Sequence, residues 1–145
     1  MTIDHRKERA KKAGRFDIYV IESDALLVGR LQGVLDADMA AEIVAFVETR
    51  EIVAETGFNR FCDLTQLAGI HLSSDNVLQL AARRRAFNPN AIRVKSAFLA
   101  PDPLAFGIAR MYQQVLNSPR IEVRVWGDMQ AAADWLGVNL DRLTC

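Results

Sequence analysis

The stretch that decides the fold is DLTQLAGIHLSS, which runs from Asp63 to Ser74. It begins within the last residues of a short apolar segment, residues 58–64, that is typical of a central β-strand. It then crosses a loop and ends in the hydroxyl groups of Ser73 and Ser74. Such hydroxyls accept hydrogen bonds from the free amides of a first helical turn, and the charge of Asp75 suits the positive end of the helix dipole. The pattern therefore predicts a strand, a loop and a capped helix.

Upstream of this stretch, the pattern is typical of a β-hairpin followed by a helix. Residues 16–21 and 26–31 are two apolar runs, and a Ser-Asp pair gives a weak turn between them. Asp36 can cap the helix that follows, in which apolar residues recur at spacings of three and four. We expect Gly57 to end that helix, because glycine readily adopts the left-handed conformation of a helix terminus.

Downstream of the stretch, helices and strands alternate. The predicted elements are a second helix that ends before Asn88, a buried strand over residues 94–100, a third helix from Asp102 to Pro119, a strand over residues 121–125 with one wet face, and a last helix from Asp128 to Gly137. The order β-β-α-β-α-β-α-β-α predicts an α/β fold. We expect a single mixed, mostly parallel five-stranded sheet flanked by about four helices.

The composition is that of an ordinary globular domain. The chain has 145 residues, of which 50% are hydrophobic and 25% charged, and its formal net charge is zero. We expect one domain over residues 16–137, preceded by a basic arm over residues 1–15 and followed by a tail over residues 138–145. The zero net charge gives no reason to expect nucleic acid as a partner. No stretch approaches the roughly 20 apolar residues of a transmembrane segment, so we expect a cytoplasmic protein.

Two runs of positive charge stand out. The arm carries Lys and Arg with no apolar run after them, so it is not a secretory signal and is interpreted as a solvated arm or a frayed helix. The second run is Arg83–Arg85, near the end of the second helix. Successive residues fan around a helix, and cations suit its carboxyl end. The alternatives are a weak nucleic-acid or membrane contact for the arm and an anion or phosphoprotein contact for Arg83–Arg85.

The sequence offers little catalytic chemistry. It has no Gly-rich phosphate loop and no Gly-x-Ser-x-Gly elbow, and its two histidines and two cysteines are too few for a metal site or a disulfide framework. Cys62 lies in an apolar strand and is expected to behave as a small buried hydrophobe. We therefore expect no enzyme, no cofactor and no metal. A hydrolytic site would need His71 with Asp63 or Asp75 and a serine in one cleft.

The stretch from Asp63 to Ser74 resembles the signature of STAS domains, the anti-anti-sigma-factor fold. The positions at the matching spacing are Asp63, Leu64, Thr65, Leu67 and Ile70. The element order over residues 16–137 also resembles that fold. Residues 106–112 and 133–136 look more specifically like the SpoIIAA-like branch, which is related in fold to the lipid-binding Sec14-like domains.

The resemblance implies a site at the start of the second helix. The phosphorylated serine of the family falls on Ser73, or on Ser74 if one residue is inserted. His71 stands where the family has Asp, and no glycine follows the serines. In the family the surface around the second helix meets the partner. The candidate regulatory or partner surface therefore comprises Ser73, Ser74, His71, Asp63 and Val77.

Three hypotheses about function follow from the resemblance and the composition. The first is a non-enzymatic regulatory or protein-interaction module with a protein partner, for which self-association is also plausible. The second is a binder of a small apolar ligand or lipid, motivated by the kinship with Sec14-like domains and by the aliphatic richness of the chain. The third is a phosphorylation-controlled switch at Ser73 or Ser74, because a helix N-terminus stabilises added negative charge.

Overall fold

The structure is a computed structural model that describes residues 9–54, 56–87 and 92–144. Over these residues, six strands form a single sheet in the order β1-β2-β3-β4-β5-β6. The strands are β1 (Arg9–Lys12), β2 (Phe16–Ile21), β3 (Leu26–Asp36), β4 (Asn59–His71), β5 (Val94–Leu99) and β6 (Ile121–Trp126). The helices are α1 (Ala37–Val53), α2 (Ser74–Ala86), α3 (Pro103–Leu116), α4 (Met129–Leu136) and α5 (Asp141–Thr144).

The sheet confirms the predicted α/β fold and corrects its strand count. The β1–β2 and β2–β3 pairs are antiparallel, and the pairs from β3 to β6 are parallel, so the sheet is mixed as expected. The strand that was not predicted is β1, which lies in the segment interpreted as a solvated arm. Arg9 is opposite Tyr19 in the register, and its guanidinium binds the Asp17 carboxylate at 2.7 Å. Residues 1–8 of the predicted arm lie outside the described residues.

The helices lie on both faces of the sheet. Consecutive right-handed crossovers between neighbouring parallel strands place their helices on the same face. Accordingly, α1, α2 and α3 cover one face, and α4 and α5 cover the other. The side chains of β2 divide in the same way: Ile18 and Val20 pack toward α1, whereas Tyr19 and Ile21 pack toward α4.

The helix starts were predicted well from their capping residues. The side chain of Asp36 accepts a hydrogen bond from the Met39 amide at 2.9 Å, and Asp102 and Asp128 cap α3 and α4 in the same way. The end of α1 was predicted wrongly. The helix ends at Val53, where the chain turns to an extended conformation, and Gly57 does not terminate it.

The segment predicted as a C-terminal tail packs against the domain. Residues 141–144 form α5, whose Leu143 is fully buried beneath the sheet. The carbonyl of Leu143 accepts a hydrogen bond from Arg30, and Arg142 lies 2.9 Å from the carboxylate of Asp24. The tail therefore belongs to the same core as the hairpin of β2 and β3.

The strand β4 is longer than predicted and shapes the region around the candidate site. The sequence indicates a strand over residues 58–64 followed by a loop, but β4 continues to His71. Only Arg60–Asp63 pairs with β5, whereas β4 pairs with β3 along its length from Asn59 to His71, ending with Asp36 opposite His71. The pairing shifts register twice, and Gly33 adopts φ +69° at one shift, which a side chain would disfavour.

Candidate functional site

The start of α2 is built as a capping box. The hydroxyl of Ser73 accepts a hydrogen bond from the Asn76 amide at 3.1 Å, and the Asn76 side chain accepts one from the Ser73 amide at 2.9 Å. Ser73, Ser74 and Asp75 are all exposed. The predicted cap is therefore confirmed, and it leaves the hydroxyl of Ser74 at the surface of the first helical turn.

The five predicted site residues divide between surface and core. His71, at the last residue of β4, is exposed like Ser73 and Ser74. Val77 is 1% exposed and packs inward from α2. Asp63 is 6% exposed, and its carboxylate accepts hydrogen bonds from the amide and hydroxyl of Thr65 at 2.8 and 2.6 Å. Asp63 and Val77 are therefore structural residues and not part of an exposed surface.

The positions of Asp63 and His71 also bear on the hydrolytic arrangement. They lie eight residues apart in the same strand, which corresponds to roughly 26 Å of extended chain. A carboxylate at Asp63 therefore does not orient the imidazole of His71. Among the described residues, no group of three or more His, Cys, Asp or Glu side chains is arranged to hold a metal ion.

Exposed leucines lie on the two helices that begin at this edge of the sheet. Because β4 and β5 are parallel, α2 and α3 both start at the carboxyl ends of their strands. Leu78, one turn into α2, is 47% exposed, and Leu104, at the start of α3, is 56% exposed. Large apolar side chains beside polar groups are typical of a surface that meets another molecule. None of the helices in the described part of the chain is long and apolar enough to cross a membrane.

Beneath the start of α2 lies an apolar cavity of about 150 Å³, which the sequence did not predict. It lies between the sheet and the three helices on that face and is partly open to solvent. Its lining side chains from the helices include Ala40 and Val44 of α1, Val77 and Leu80 of α2, and Ala109 and Tyr112 of α3. Val44 and Leu80 are half-buried, so the cavity reaches the surface between the amino-terminal halves of α1 and α2.

The carboxyl-terminal halves of the same two helices are joined by buried ion pairs. The Glu51 carboxylate on α1 contacts Arg84 on α2 at 2.7 and 2.8 Å, and it contacts Arg60 on β4 at 2.6 Å. Arg120 lies 3.6 Å from the same carboxylate. We refer to these residues, with Glu48 and Arg83, which form an ion pair at 2.7 Å, as the Glu51 cluster.

The environment of Glu51 favours its charged form. Burial by itself would raise the pKa of Glu51, but hydrogen bonds from Arg84 and the positive charge of Arg60 outweigh it. The net effect is a pKa below the ordinary value of 4.5. The carboxylate is therefore ionised at neutral pH and neutralises the guanidinium groups around it.

The arginine run on α2 thus has a structural role. Arg83 and Arg84 bind the glutamates of α1, and Arg85 donates hydrogen bonds to the carbonyls of Val115 and Leu116 on α3. The sequence carried a signal for part of this arrangement. Arg84 falls three and four residues after the apolar positions 81 and 80, on the buried stripe of the helix.

Tyr112 connects the apolar cavity to the Glu51 cluster. Its ring lines the cavity and packs edge-on against Phe98 with 5.9 Å between ring centroids. Burial raises the pKa of Tyr112, and the positive charges of Arg84 and Arg60 oppose that rise. The hydroxyl of Tyr112 therefore lies within the influence of the cluster's charges, and its ring lines the cavity.

Cys62 also lines the cavity and behaves as the sequence indicates. Burial, reinforced by the charge of Asp63, raises the pKa of the Cys62 thiol to about 12. A thiol with so high a pKa is protonated at neutral pH and is a poor nucleophile.

Comparison with known proteins identifies the fold. No protein-family model and no curated protein matches the chain. Among solved structures, it is similar to an uncharacterized protein of the DUF3478 family from Shewanella loihica PV-4, which is described as having a SpoIIAA-like fold. The TM-score is 0.58 with 18% sequence identity, and the match covers 88% of this chain and 98% of that chain. The chain therefore has a SpoIIAA-like fold.

Proposed function

We propose that this chain is a non-enzymatic binding module of the regulatory, SpoIIAA-like kind, and that the start of α2 is the centre of its partner surface. The observation that carries the proposal is the 47% exposure of Leu78, which lies four residues after the exposed Ser74 on the same face of α2. Apolar side chains with a polar rim are typical of protein interfaces. The arrangement supports recognition of a protein that offers an apolar contact and hydrogen-bond donors.

A pair of surface variants tests this proposal. Leu78→Glu places a charge on the exposed leucine, and Gln79→Glu makes the same kind of change at the next exposed position of α2. We expect tagged wild-type protein and Gln79→Glu to capture the same partner from cells of the source organism, and Leu78→Glu to lose it. Equal capture by the two variants would place the partner surface elsewhere. Sedimentation of the same samples would reveal a second copy of this chain as the partner.

Phosphorylation at the start of α2 would regulate the same surface. Both serines are exposed, but the hydroxyl of Ser73 already belongs to the capping box, which favours Ser74 as the acceptor. A phosphate there would benefit from the helix dipole and would be opposed by the charge of Asp75. Intact mass of the protein purified from its own host tests the switch. An increment of one phosphate at Ser74 supports it, and an unmodified chain under all growth conditions speaks against it.

A second candidate function is binding of a small apolar ligand, which the cavity beneath α2 favours. Its lining is apolar and its volume of about 150 Å³ exceeds what a water molecule occupies. Native mass spectrometry of the protein from its own host tests this function directly. A non-covalent adduct that is lost on denaturation supports it, and an unliganded chain does not.

A further inference from the structure

The apolar cavity is too large to be ordinary packing space. Protein interiors are packed about as densely as organic crystals, and voids larger than a water molecule are few. The cavity has a volume of about 150 Å³, and small side chains at Ala40 and Ala109 contribute to that space. The lining holds water poorly, because water needs polar partners that apolar side chains do not provide.

The cavity has a route to solvent, because α1 and α2 are joined by ion pairs at their carboxyl-terminal halves and separated at their amino-terminal halves. The carboxyl-terminal halves of α1 and α2 are joined through Glu51 and Arg84. The amino-terminal halves are separated by the cavity, and Ile43 and Leu80 at its border are half-buried. A small molecule can therefore enter between the amino-terminal halves without breaking the ion pairs at the other end.

The lining restricts the chemistry of the occupant. No charged side chain of the described residues lines the cavity, so an ionised ligand group would lose its hydration without compensation. Almost all of the lining surface is apolar, so the cavity offers little to a polar ligand group. The volume restricts the size, because a cavity of about 150 Å³ lined by aliphatic and aromatic side chains accommodates a molecule such as benzene.

Resting on the second candidate function above, we propose that the cavity binds a compact, uncharged apolar molecule of the size of a single aromatic ring or a short branched hydrocarbon. A long acyl chain exceeds the volume of about 150 Å³ between α1, α2 and α3, so it would not be fully buried there. A carboxylate headgroup would find no cation in the lining. Among apolar ligands, the proposal therefore favours small hydrocarbons over lipids.

Titration of the full chain with benzene and separately with decanoate tests the proposal. The readout is the methyl NMR spectrum, in which Val77 and Leu80 report on the cavity. We expect benzene to cause saturable shifts confined to the lining methyl groups, and decanoate to cause none there. If decanoate shifts these methyl groups and benzene does not, the ligand class is wrong although a ligand function survives. If neither probe shifts them, both the ligand class and the ligand function are wrong.

A matched pair of variants locates the binding. Val44→Phe places a ring where benzene would lie, and Val53→Phe makes the same change at an exposed position of the same helix. We expect Val44→Phe to lose benzene binding and Val53→Phe to retain it. Unchanged binding by a folded Val44→Phe would overturn the assignment of the site. Should Val44→Phe not fold, the pattern of shifts in the wild-type protein decides the question, because shifts outside the lining would overturn it equally.

Discussion

Replacing Glu51 with glutamine would remove the carboxylate on which three buried arginines converge. Arg60, Arg84 and Arg120 lie at 2.6, 2.7 and 3.6 Å from one of its oxygen atoms, and each is at most 9% exposed. Breaking a buried ion pair by removing one partner costs about 3–5 kcal/mol. We expect the lower end, about 3 kcal/mol, because the glutamine oxygen still accepts hydrogen bonds from the guanidinium groups.

Urea denaturation followed by circular dichroism measures this change in the free energy of unfolding. For a domain of this size, a loss of about 3 kcal/mol corresponds to a fall of about 10 °C in Tm. The matched control is Glu42→Gln on the same helix, where the carboxylate is exposed and lies 3.5 Å from Lys12. We expect that control to change the free energy of unfolding by less than about 0.5 kcal/mol.

The pH dependence provides an independent check on the same residue. Because the pKa of Glu51 is lowered by folding, its stabilising contribution is complete above the unfolded value of 4.5 and is lost as the pH falls through the lower folded value. The stability difference between wild type and Glu51→Gln should therefore shrink in acid. A difference below about 1 kcal/mol at pH 7, or one that does not shrink below pH 4.5, would refute this account of the cluster.

Three further predictions concern the backbone, a helix cap and a thiol. Gly33→Ala should lower the free energy of unfolding in urea by about 1–2 kcal/mol, because φ is +69° and a Cβ would lie 2.8 Å from a backbone oxygen. The control Gly107→Ala, within α3, should leave the free energy of unfolding unchanged or raise it. Asp102→Ala should cost about 1 kcal/mol in the same assay by removing the cap of α3, and an unchanged midpoint would contradict that role. The third prediction concerns Cys62 in a Cys145→Ser background. Because its pKa is about 12 in the native protein, Cys62 should react with iodoacetamide at pH 8 roughly a thousandfold more slowly in the native than in the unfolded protein. Mass spectrometry measures both rates, and equal rates would contradict the raised pKa.

The helix starts and the order of the elements could be predicted from the sequence because their causes are local. Asp36, Asp102 and Asp128 satisfy the amides of the turns that follow them, and each stands directly before its helix. The strand β1 could not be predicted, because Arg9–Lys12 has no apolar alternation of its own. Its conformation depends on pairing with β2, and context of that kind outweighs intrinsic strand preference.

The candidate site was only partly predictable for a related reason. The exposed serines and the cap at Ser73 follow from neighbouring residues. In contrast, Glu51 and Arg84 are 33 residues apart, and only the packing of two helices brings them together. The cavity likewise arises from the separation of helices at one end, and it is not encoded by any short motif. Even so, charged residues on an apolar stripe were a usable sign of buried ion pairs.

The order of the strands has a consequence for the way in which the chain folds. Each strand pairs with its neighbour in the sequence, so the sheet can grow one strand at a time during synthesis, and no earlier pair must open to admit a later strand. The last described segment returns to the first hairpin, where the carbonyl of Leu143 meets Arg30, 113 residues earlier in the chain. Closing so long a loop is entropically costly until the intervening sheet holds its ends near each other. We therefore expect the contact of α5 with the first hairpin to form last, and only after the whole sheet has formed.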